Sequence, residues 1–371
     1  MNGDTNFEGD ESFGVALSSP TVAFIKPGFG SATTFIINDD SPPPKPDVHT
    51  VAVATNGGVV AEVRGLDPAT GAIRWAVRPF DRFTGAVTIA VGDVNNDGFQ
   101  DVIVGAGPSA GPRIVVLSGQ DGKQLASFFA FSQSFAGGVT VASADYNGDG
   151  YADIVVGADT RGGSHVKVID GRTLQEMRSF FAFGRDYNFG VRVAAGDVNG
   201  DGTPDILVGA GAGGAPVYSV FDGVTGGLIR RGTAFAPEFT GGIYIAAGDV
   251  DGDGFADVIL GAGRAGNPHV KVFSGLNETE LASFFVNEDF SPNSIPTVPF
   301  ESGITVSASD LDGDGIEEIL TSKGRGTRSV LRSFRIAHRD GFGNVFATGL
   351  QQIASTNVFP GYFGGITVAG T

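Results

Sequence analysis

The chain of 371 residues contains no cysteine, which excludes disulfide bonds, thiolate zinc sites and a cysteine nucleophile. Basic residues are scarce, because 24 Lys and Arg stand against 41 Asp and Glu, for a net charge of −17. This imbalance argues against a nucleic-acid partner, since phosphate binding needs concentrated positive charge, and it favours cations. No apolar run reaches the ~18 residues of a membrane span, and Met1–Asp10 lacks the features of a signal peptide. We therefore expect no membrane insertion.

Glycine and phenylalanine, in contrast, are abundant. The chain has 59 Gly, 18 Pro and 30 Phe, and 41% of its residues are hydrophobic, so it is rich in turns but able to bury a core. Its apolar stretches are short, and almost none follows the 3.6-residue period of a helix. This pattern predicts an all-β protein built from many short strands.

One unit of sequence recurs along the chain. Its first aspartates follow one another at intervals of 52, 52, 52 and 61 residues and are Asp93, Asp145, Asp197, Asp249 and Asp310. The last interval is longer because of an insertion around residues 287–299. A fixed period of this size indicates repeated supersecondary units that together form one domain.

Each unit contains four short runs typical of β-strands, separated by glycine-containing turns. Four antiparallel strands form one blade of a β-propeller. An aromatic marker four residues before the first strand occurs six times, at Phe83, Phe135, Tyr187, Phe239, Phe300 and Tyr362. We therefore predict six four-stranded blades, with the sixth formed by pairing the C-terminal run 364–371 with N-terminal strands around Val51, Val63 and Trp75. Seven blades or a fragment are the alternatives, and the sixth blade is expected to hold no metal.

Residues 1–46 do not follow this period. They finish in Ser41-Pro-Pro-Pro-Lys-Pro46, which predicts a stiff linker over residues 41–46. The segments 7–20 and 30–40 resemble the closing strands of a Calx-beta domain, and they are too short to bury a core of their own. We expect a partial Calx-beta-like tail at residues 1–40 and the propeller at residues 47–371, in a longer protein whose export signal lies upstream.

Every complete unit carries an acidic loop between its first and second strands. Side-chain oxygens recur at positions 1, 3, 5 and 9, a glycine at position 6 permits a sharp bend, and the backbone carbonyl of position 7 is expected to face the same centre. Six or seven such oxygens suit Ca²⁺ better than Mg²⁺, so we expect about five calcium ions. The predicted ligands are Asp93, Asn95, Asp97, Phe99 and Asp101; Asp145, Asn147, Asp149, Tyr151 and Asp153; Asp197, Asn199, Asp201, Thr203 and Asp205; Asp249, Asp251, Asp253, Phe255 and Asp257; and Asp310, Asp312, Asp314, Ile316 and Glu318.

The loops have two alternative interpretations besides this type of calcium site. An EF-hand needs a glutamate at position 12, where these units have Val104, Val156, Val208, Leu260 and Thr321. Metal-free Asx turns are the remaining alternative, because Asp, Asn and Gly are ordinary turn formers. Five loops in phase favour metal binding. Extracellular modules bind calcium at roughly 0.1 to 1 mM, so the chemistry predicts an extracellular or cell-surface location.

The repeats resemble the FG-GAP/VCBS family, which includes the propeller of integrin alpha subunits. One repeat contains Phe189-Gly190, then the loop from Asp197 to Asp205, then Gly214-Ala215-Pro216. Elsewhere Gly137-Gly138 and Gly241-Gly242 replace Phe-Gly. The resemblance covers residues 47–371, and it implies calcium binding together with a role in adhesion or ligand binding.

The predicted function is a noncatalytic adhesion or recognition module, a monomeric part of a larger surface or secreted protein with an extracellular protein or glycan ligand. A calcium-dependent carbohydrate-binding propeller is the alternative, and a scaffold for a polysaccharide-acting enzyme comes third, because no catalytic set is found. His165 and His269 occupy the same repeat position and are interpreted as structural residues at strand edges. The SFFAF segments that begin at Ser127 and Ser179 are interpreted as core between blades, with sugar stacking as the alternative.

Overall fold

The computed structural model describes the backbone of residues 11–16, 31–36, 49–286, 303–324, 329–339, 345–362 and 366–370. Contacts divide the chain into two units, Met1–Pro46 and Asp47–Thr371. In the first unit, β1 (Glu11–Ala16) pairs antiparallel with β2 (Ser31–Ile36). The assignments of residues 1–40 to a Calx-beta-like tail and of residues 41–46 to a linker stay predictions, and residues 41–46, the insertion at 287–299 and Phe300 lie outside the described residues.

The second unit contains six sheets of four antiparallel strands. Blade 1 consists of β6 (Val87–Gly92), β7 (Asp101–Ala106), β8 (Arg113–Leu117) and β9 (Gln124–Phe129). Blade 2 consists of β10 (Val139–Ala144), β11 (Asp153–Ala158), β12 (His165–Ile169) and β13 (Glu176–Phe181). Blade 3 consists of β14 (Val191–Gly196), β15 (Asp205–Ala210), β16 (Val217–Phe221) and β17 (Leu228–Thr233).

The remaining three sheets complete the propeller. Blade 4 consists of β18 (Ile243–Gly248), β19 (Asp257–Ala262), β20 (His269–Phe273) and β21 (Glu280–Phe285). Blade 5 consists of β22 (Ile304–Ser309), β23 (Glu318–Lys323), β24 (Val330–Arg339) and β25 (Val345–Asn357). The closing blade consists of β26 (Ile366–Ala369), β3 (Val51–Thr55), β4 (Val63–Leu66) and β5 (Ile73–Val77). Among the described residues, no helix has the length and apolar character needed to cross a membrane.

The apolar runs of the second strands fill the spaces between blades. In β7, Val102 and Val104 pack towards the closing blade, whereas Ile103 packs towards blade 2. Both faces of this strand are therefore buried, which explains why it is apolar throughout instead of alternating. The outer strand β9 is largely exposed. The core of the propeller thus lies between neighbouring sheets.

The closing blade joins the two ends of the propeller unit. Strand β26 pairs antiparallel with β3, with Ile366 opposite Thr55 and Ala369 opposite Ala52. Strands β3, β4 and β5 complete the sheet in the order expected from the repeat. The prediction of six blades with a composite sixth blade is confirmed.

Side chains link the innermost strands of several successive blades. Thr88, the second residue of β6, donates a hydrogen bond to the Val139 carbonyl of blade 2 at 2.9 Å. Thr140 donates to Val191, and Thr367 of the closing blade donates to Val87 of blade 1, both at 3.0 Å. The bond from Thr367 therefore links the closing blade to blade 1. Arg192 donates in the same way to Ile243 in place of a threonine.

The closing blade offers a matched test of how much its core stabilises the propeller. Ile366 is completely buried, whereas Ile73 of the same sheet is 52% exposed. We expect Ile366→Ala to lower the free energy of unfolding by about 2 to 5 kcal/mol, because it leaves a cavity beside blade 5. Ile73→Ala should change it by less than about 0.5 kcal/mol. Urea unfolding followed by circular dichroism measures both, and equal effects would contradict a closed ring.

Candidate metal centres in the acidic loops

The five acidic loops connect the first and second strands of blades 1 to 5 and lie at the same end of each blade. We number them loops 1 to 5 along the chain: residues 93–100, 145–152, 197–204, 249–256 and 310–317. Position 9 is the first residue of the second strand in every case. The predicted ligands therefore belong to one turn and to the strand that follows it.

The aspartate at position 1 organises the turn. In loop 3, Asp197 Oδ1 accepts backbone N–H bonds from Gly200 at 2.7 Å and Asp201 at 3.1 Å. Its Oδ2 accepts from Gly202 at 2.8 Å. Gly200 and Gly202 have φ values of +72° and +86°, which glycine adopts without steric cost. The Asp-x-Asn-Gly-Asp-Gly pattern therefore encodes a curled loop that converges on one carboxylate.

Positions 3 and 5 continue this pattern of short-range bonds. Asn199 Oδ1 accepts from the Asp201 N–H, and Asp201 Oδ1 accepts from the Thr203 N–H, both at 2.9 Å. The Asx-turn interpretation thus describes the local backbone correctly. It does not conflict with a cation site, because each carboxylate oxygen has a second lone pair.

The carboxylate at position 9 is buried in all five loops and bridges two parts of the blade. Asp205 is fully buried, and its Oδ2 accepts from the Val198 N–H at 3.0 Å. Its Oδ1 accepts from the Gly223 N–H, in the turn between β16 and β17, also at 3.0 Å. Corresponding pairs of bonds occur at Asp101, Asp153 and Asp257. The sequence predicts this position only as a ligand, and its bridging role is evident only in the structure.

Two loops bring three carboxylates close together. Oxygens of Asp249, Asp251 and Asp257 in loop 4 lie within 4.8 Å of one another, and the same holds for Asp310, Asp312 and Glu318 in loop 5. The position-5 residues Asp253 and Asp314 are not members of these groups. Loops 1 to 3 have asparagine at position 3 and so offer fewer carboxylates. The ligand roles of all five sets, including the carbonyls of Phe99, Tyr151, Thr203, Phe255 and Ile316, stay predictions.

Loop 5 differs from the others because an arginine enters it. Arg335 of β24 donates to Glu318 Oε1 through Nε at 2.9 Å and through Nη2 at 2.8 Å, and Nη2 also contacts Asp312 Oδ2. In blades 1 to 4, the position that corresponds to Arg335 is occupied by Ser118, Asp170, Asp222 and Ser274, respectively. Only loop 5, among the described loops, therefore has an internal guanidinium between two of its predicted ligands.

Neighbouring residues extend the loops in ways that the period alone does not show. Asn199 Nδ2 donates to Asp222 Oδ2 at 3.3 Å, which adds a carboxylate to loop 3. The backbone N–H of position 8 donates to the position-1 carbonyl of the preceding loop, as from Ala152 to Asp93 and from Ala256 to Asp197, both at 2.8 Å. Pro204 has no N–H, so loop 3 lacks this bond to loop 2. These bonds therefore connect loop 1 with loop 2 and join loops 3, 4 and 5 to one another.

Burial controls the protonation of the position-9 carboxylates. Desolvation raises the pKa of Asp205 to about 6, that of Asp101 to about 7 and that of Asp257 to about 8, although their backbone bonds oppose the shift. Desolvation also raises the pKa of Glu318, and the Arg335 bonds oppose it. A bound cation would favour the ionised forms, so metal binding and proton release are coupled.

Comparisons with known proteins agree with this architecture. A family model described as the FG-GAP-like repeat matches residues 93–156, 145–208 and 197–260, each window starting at a position-1 aspartate. Integrin alpha-5 of Xenopus laevis is 27% identical over 228 residues, and integrin alpha-V of Gallus gallus is 32% identical over 223 residues. The matches cover 51% and 52% of this chain but only 21% of each integrin.

The chain therefore contains FG-GAP-like repeats, carried on a six-bladed propeller, as the resemblance in its sequence indicated. Among solved structures, a protein of unknown function from Bacteroides caccae is 12% identical, with a TM-score of 0.44, and the likeness covers 87% of this chain and 98% of that chain. Rhamnogalacturonan lyase of Bacillus licheniformis is 16% identical, with a TM-score of 0.40, over 86% of this chain and 72% of that chain. Scores of this size do not bear on function.

The buried carboxylates predict an unusual pH dependence for the metal-free protein. Their pKa values in the folded state lie above the ordinary value of 3.8, so protonation stabilises the fold. This stabilisation is complete below about pH 4 and is lost as the pH rises through about 7 to 8. We expect the urea concentration at the unfolding midpoint, measured in excess chelator, to decrease as the pH rises from about 4 to about 8. Asp257→Asn should make this decrease smaller. A midpoint that rises over the same range would contradict the assignment.

Proposed function

We propose that this chain is a calcium-binding, noncatalytic recognition module of an extracellular or cell-surface protein. The observation that supports this proposal most directly is the set of five curled loops, in each of which the position-6 glycine N–H donates to the position-1 aspartate. The similarity to integrin alpha subunits supports a role in adhesion, although it extends over only a fifth of their length. The proposed partner is an extracellular protein or glycan.

In each loop, calcium would be held by side-chain oxygens at positions 1, 3, 5 and 9 and by the position-7 carbonyl. All of these donors are hard oxygen atoms, which suits calcium. Its role would be to neutralise carboxylates that otherwise repel one another, since two charges ~4 Å apart interact by up to roughly 4 kcal/mol at an effective dielectric near 20. The ion would therefore act on stability and loop order, while recognition occurs elsewhere on the propeller.

Loop 5 is proposed to bind calcium more weakly than the other loops. Its predicted ligands Asp312 and Glu318 already share the positive charge of Arg335. A calcium ion entering this loop must compete with the guanidinium or share the carboxylates with it. The loop would thus be partly neutralised even without metal.

Calcium should stabilise the whole propeller strongly. At a calcium concentration about tenfold above the dissociation constant, each site contributes roughly 1.4 kcal/mol, or about 7 kcal/mol over five sites. This is comparable with the usual stability of a domain, about 5 to 15 kcal/mol. We expect the melting temperature measured by calorimetry to fall markedly in excess chelator, and magnesium to replace calcium poorly.

The matched control is the double variant Asp197→Ala and Asp201→Ala, which removes two ligands of loop 3. It should bind one calcium ion fewer in equilibrium dialysis and keep the fold of the other blades. A melting temperature that is the same in calcium and in chelator would contradict the proposed role of the metal.

Without Arg335, loop 5 should depend on calcium to neutralise its carboxylates. Glu318 is only 1% exposed, so Arg335→Gln leaves a buried carboxylate without its charged partner and should cost about 3 kcal/mol in chelator. Calcium should restore most of this loss, and the fifth ion should bind more tightly than in the parent protein. Arg74→Gln, which breaks an ion pair with Asp67 in the closing blade, is the control. If loop 5 bound calcium with the same affinity in the parent protein and in both variants, the proposed competition between Arg335 and calcium would be refuted.

Recognition is testable with the full chain on a coated surface. We expect it to capture particular extracellular-matrix proteins, cell surfaces or glycans from a panel, and to lose this binding in chelator as the loops loosen. Capture that is the same with and without calcium would contradict a calcium-stabilised module. Turnover of any polysaccharide in the panel would contradict the noncatalytic assignment.

A further inference from the structure

Blades 2 and 4 carry the same cluster of aromatic and histidine side chains at the end opposite the acidic loops. We call each cluster a histidine notch. The notch of blade 2 contains Phe131, Phe135, His165 and Phe181, and the notch of blade 4 contains Phe235, Phe239, His269 and Phe285. Corresponding residues are 104 positions apart, which is two repeat periods. These are the two histidines and the SFFAF-type aromatics that no other function accounts for.

The rings of each notch form a continuous, half-buried surface. His165 stacks on Phe181 at 4.6 Å between ring centroids and lies 5.1 Å from Phe131. His269 stacks on Phe285 at 4.4 Å and lies 5.4 Å from Phe235. Register explains the stacking, because each histidine begins strand three directly opposite the phenylalanine that ends strand four. The surface is therefore held by the sheet and not by a loop alone.

Hydrogen bonds fix the histidines within this surface. His165 Nε2 is 2.7 Å from Ser179 Oγ, and His269 Nε2 is 2.8 Å from Ser283 Oγ. The Nδ1 atoms have no hydrogen-bond partner among the residues that the structure describes. Each notch thus combines flat apolar faces with one ring nitrogen that remains able to hydrogen-bond a ligand.

The notch of blade 4 opens into a cavity of about 520 Å³, lined by Phe235, Phe239, His269, Lys271 and Phe285 among others. This volume falls within the range of small-molecule sites, which are mostly apolar with a few polar groups. Three other pockets of the propeller are smaller, at about 110, 140 and 140 Å³. Space, apolar faces and polar groups therefore occur together.

The charges around the notch of blade 4 indicate an uncharged occupant, whereas in the notch of blade 2 the Arg185 guanidinium lies 4.7 Å from the centroid of the Phe181 ring. Lys271 Nζ lies 2.6 Å from Glu280, and Lys167 Nζ lies 2.6 Å from Glu176, so each lysine is neutralised by a neighbour. Burial and the adjacent lysine lower the pKa of both histidines, which keeps them neutral at physiological pH. Among the described residues, a fully ionic ligand would find no unpaired opposite charge in the notch of blade 4, whereas hydroxyl groups could bond both the Lys–Glu pair and the imidazole.

We propose that the histidine notch of blade 4 binds a neutral pyranose sugar, with a face of the sugar ring against the phenylalanines. A pyranose ring offers an apolar C–H face and a rim of hydroxyl groups, which matches the aromatic faces and polar rim of the notch. The inference deepens the recognition role proposed above by assigning a ligand class to a particular surface. It does not depend on calcium occupancy.

The other described blades lack the complete set. Blade 1 has Arg113 at the histidine position, and its Nε donates to Ser127 at 3.0 Å. Blade 3 has Val217 there and Thr233 in place of the stacked phenylalanine. We therefore expect the sugar site in blade 4 and no equivalent site in blades 1 and 3.

Saturation-transfer NMR with the full chain tests this proposal. The probes are the methyl glycosides of glucose, galactose, mannose and N-acetylglucosamine, with methyl glucuronide as the charged comparison. We expect at least one neutral glycoside to bind. His165→Ala with His269→Ala should weaken binding at least roughly tenfold, the effect of losing about one stacking contact per site. His269→Ala alone should reproduce this loss.

Two controls keep the outcome interpretable. Leu228→Ala changes an exposed residue of blade 3 and should leave sugar binding intact. His165→Gln with His269→Gln preserves a polar group near the serines but removes the ring, and should weaken binding as alanine does. The calcium-induced rise in melting temperature, measured on every variant, reports the fold separately from the sugar. Absence of transfer for all four neutral glycosides, preference for methyl glucuronide, or full binding by the double alanine variant would overturn the proposal.

Discussion

The buried carboxylate at the start of each second strand is the interaction on which each complete blade depends. A group such as Asp205 would be very costly to bury alone, yet its two oxygens accept backbone N–H bonds from the acidic loop and from the turn between strands three and four. One side chain thereby fixes the curl of the loop and the position of the outer hairpin. The same burial raises its pKa, so folding without metal favours a proton at this position. Calcium would supply positive charge there without requiring protonation.

Neighbouring blades depend on one another through bonds that repeat around the ring. On the inner strands, threonine side chains such as Thr88 and Thr367 reach the next blade, and in the loops the position-8 N–H reaches the preceding loop. The exceptions coincide with substitutions, since Pro204 removes one loop bond and Arg192 replaces one threonine. Because each sheet buries its apolar side chains against the next, the closing blade stabilises the whole ring and not only itself.

The sequence predicted the parts of the fold that repeat. The 52-residue period gave the strands and loops, and the aromatic markers correctly indicated that the C-terminal strand completes the N-terminal blade. Arg335 could not be anticipated, because it follows Glu318 by 17 residues and reaches loop 5 only through the pairing of β23 with β24. The surface that each phenylalanine of the SFFAF segments faces depends on the strand register, which the sequence alone did not specify. Phe128 faces the core between blades, whereas its neighbour Phe129 is 45% exposed, so one motif serves both surfaces.

The two ends of a blade carry different chemistry, and the distance between them limits how they can influence each other. In blade 2, Asp153 begins β11 at the acidic end, and β11 finishes at Ala158, near the end that carries His165. Six residues of strand span about 20 Å, which is more than twice the screening length of about 8 Å in physiological salt. Direct electrostatic action of the loops on a notch is therefore weak. Calcium would influence recognition mechanically, by keeping β11 and β12 in the register that holds each histidine against its phenylalanine.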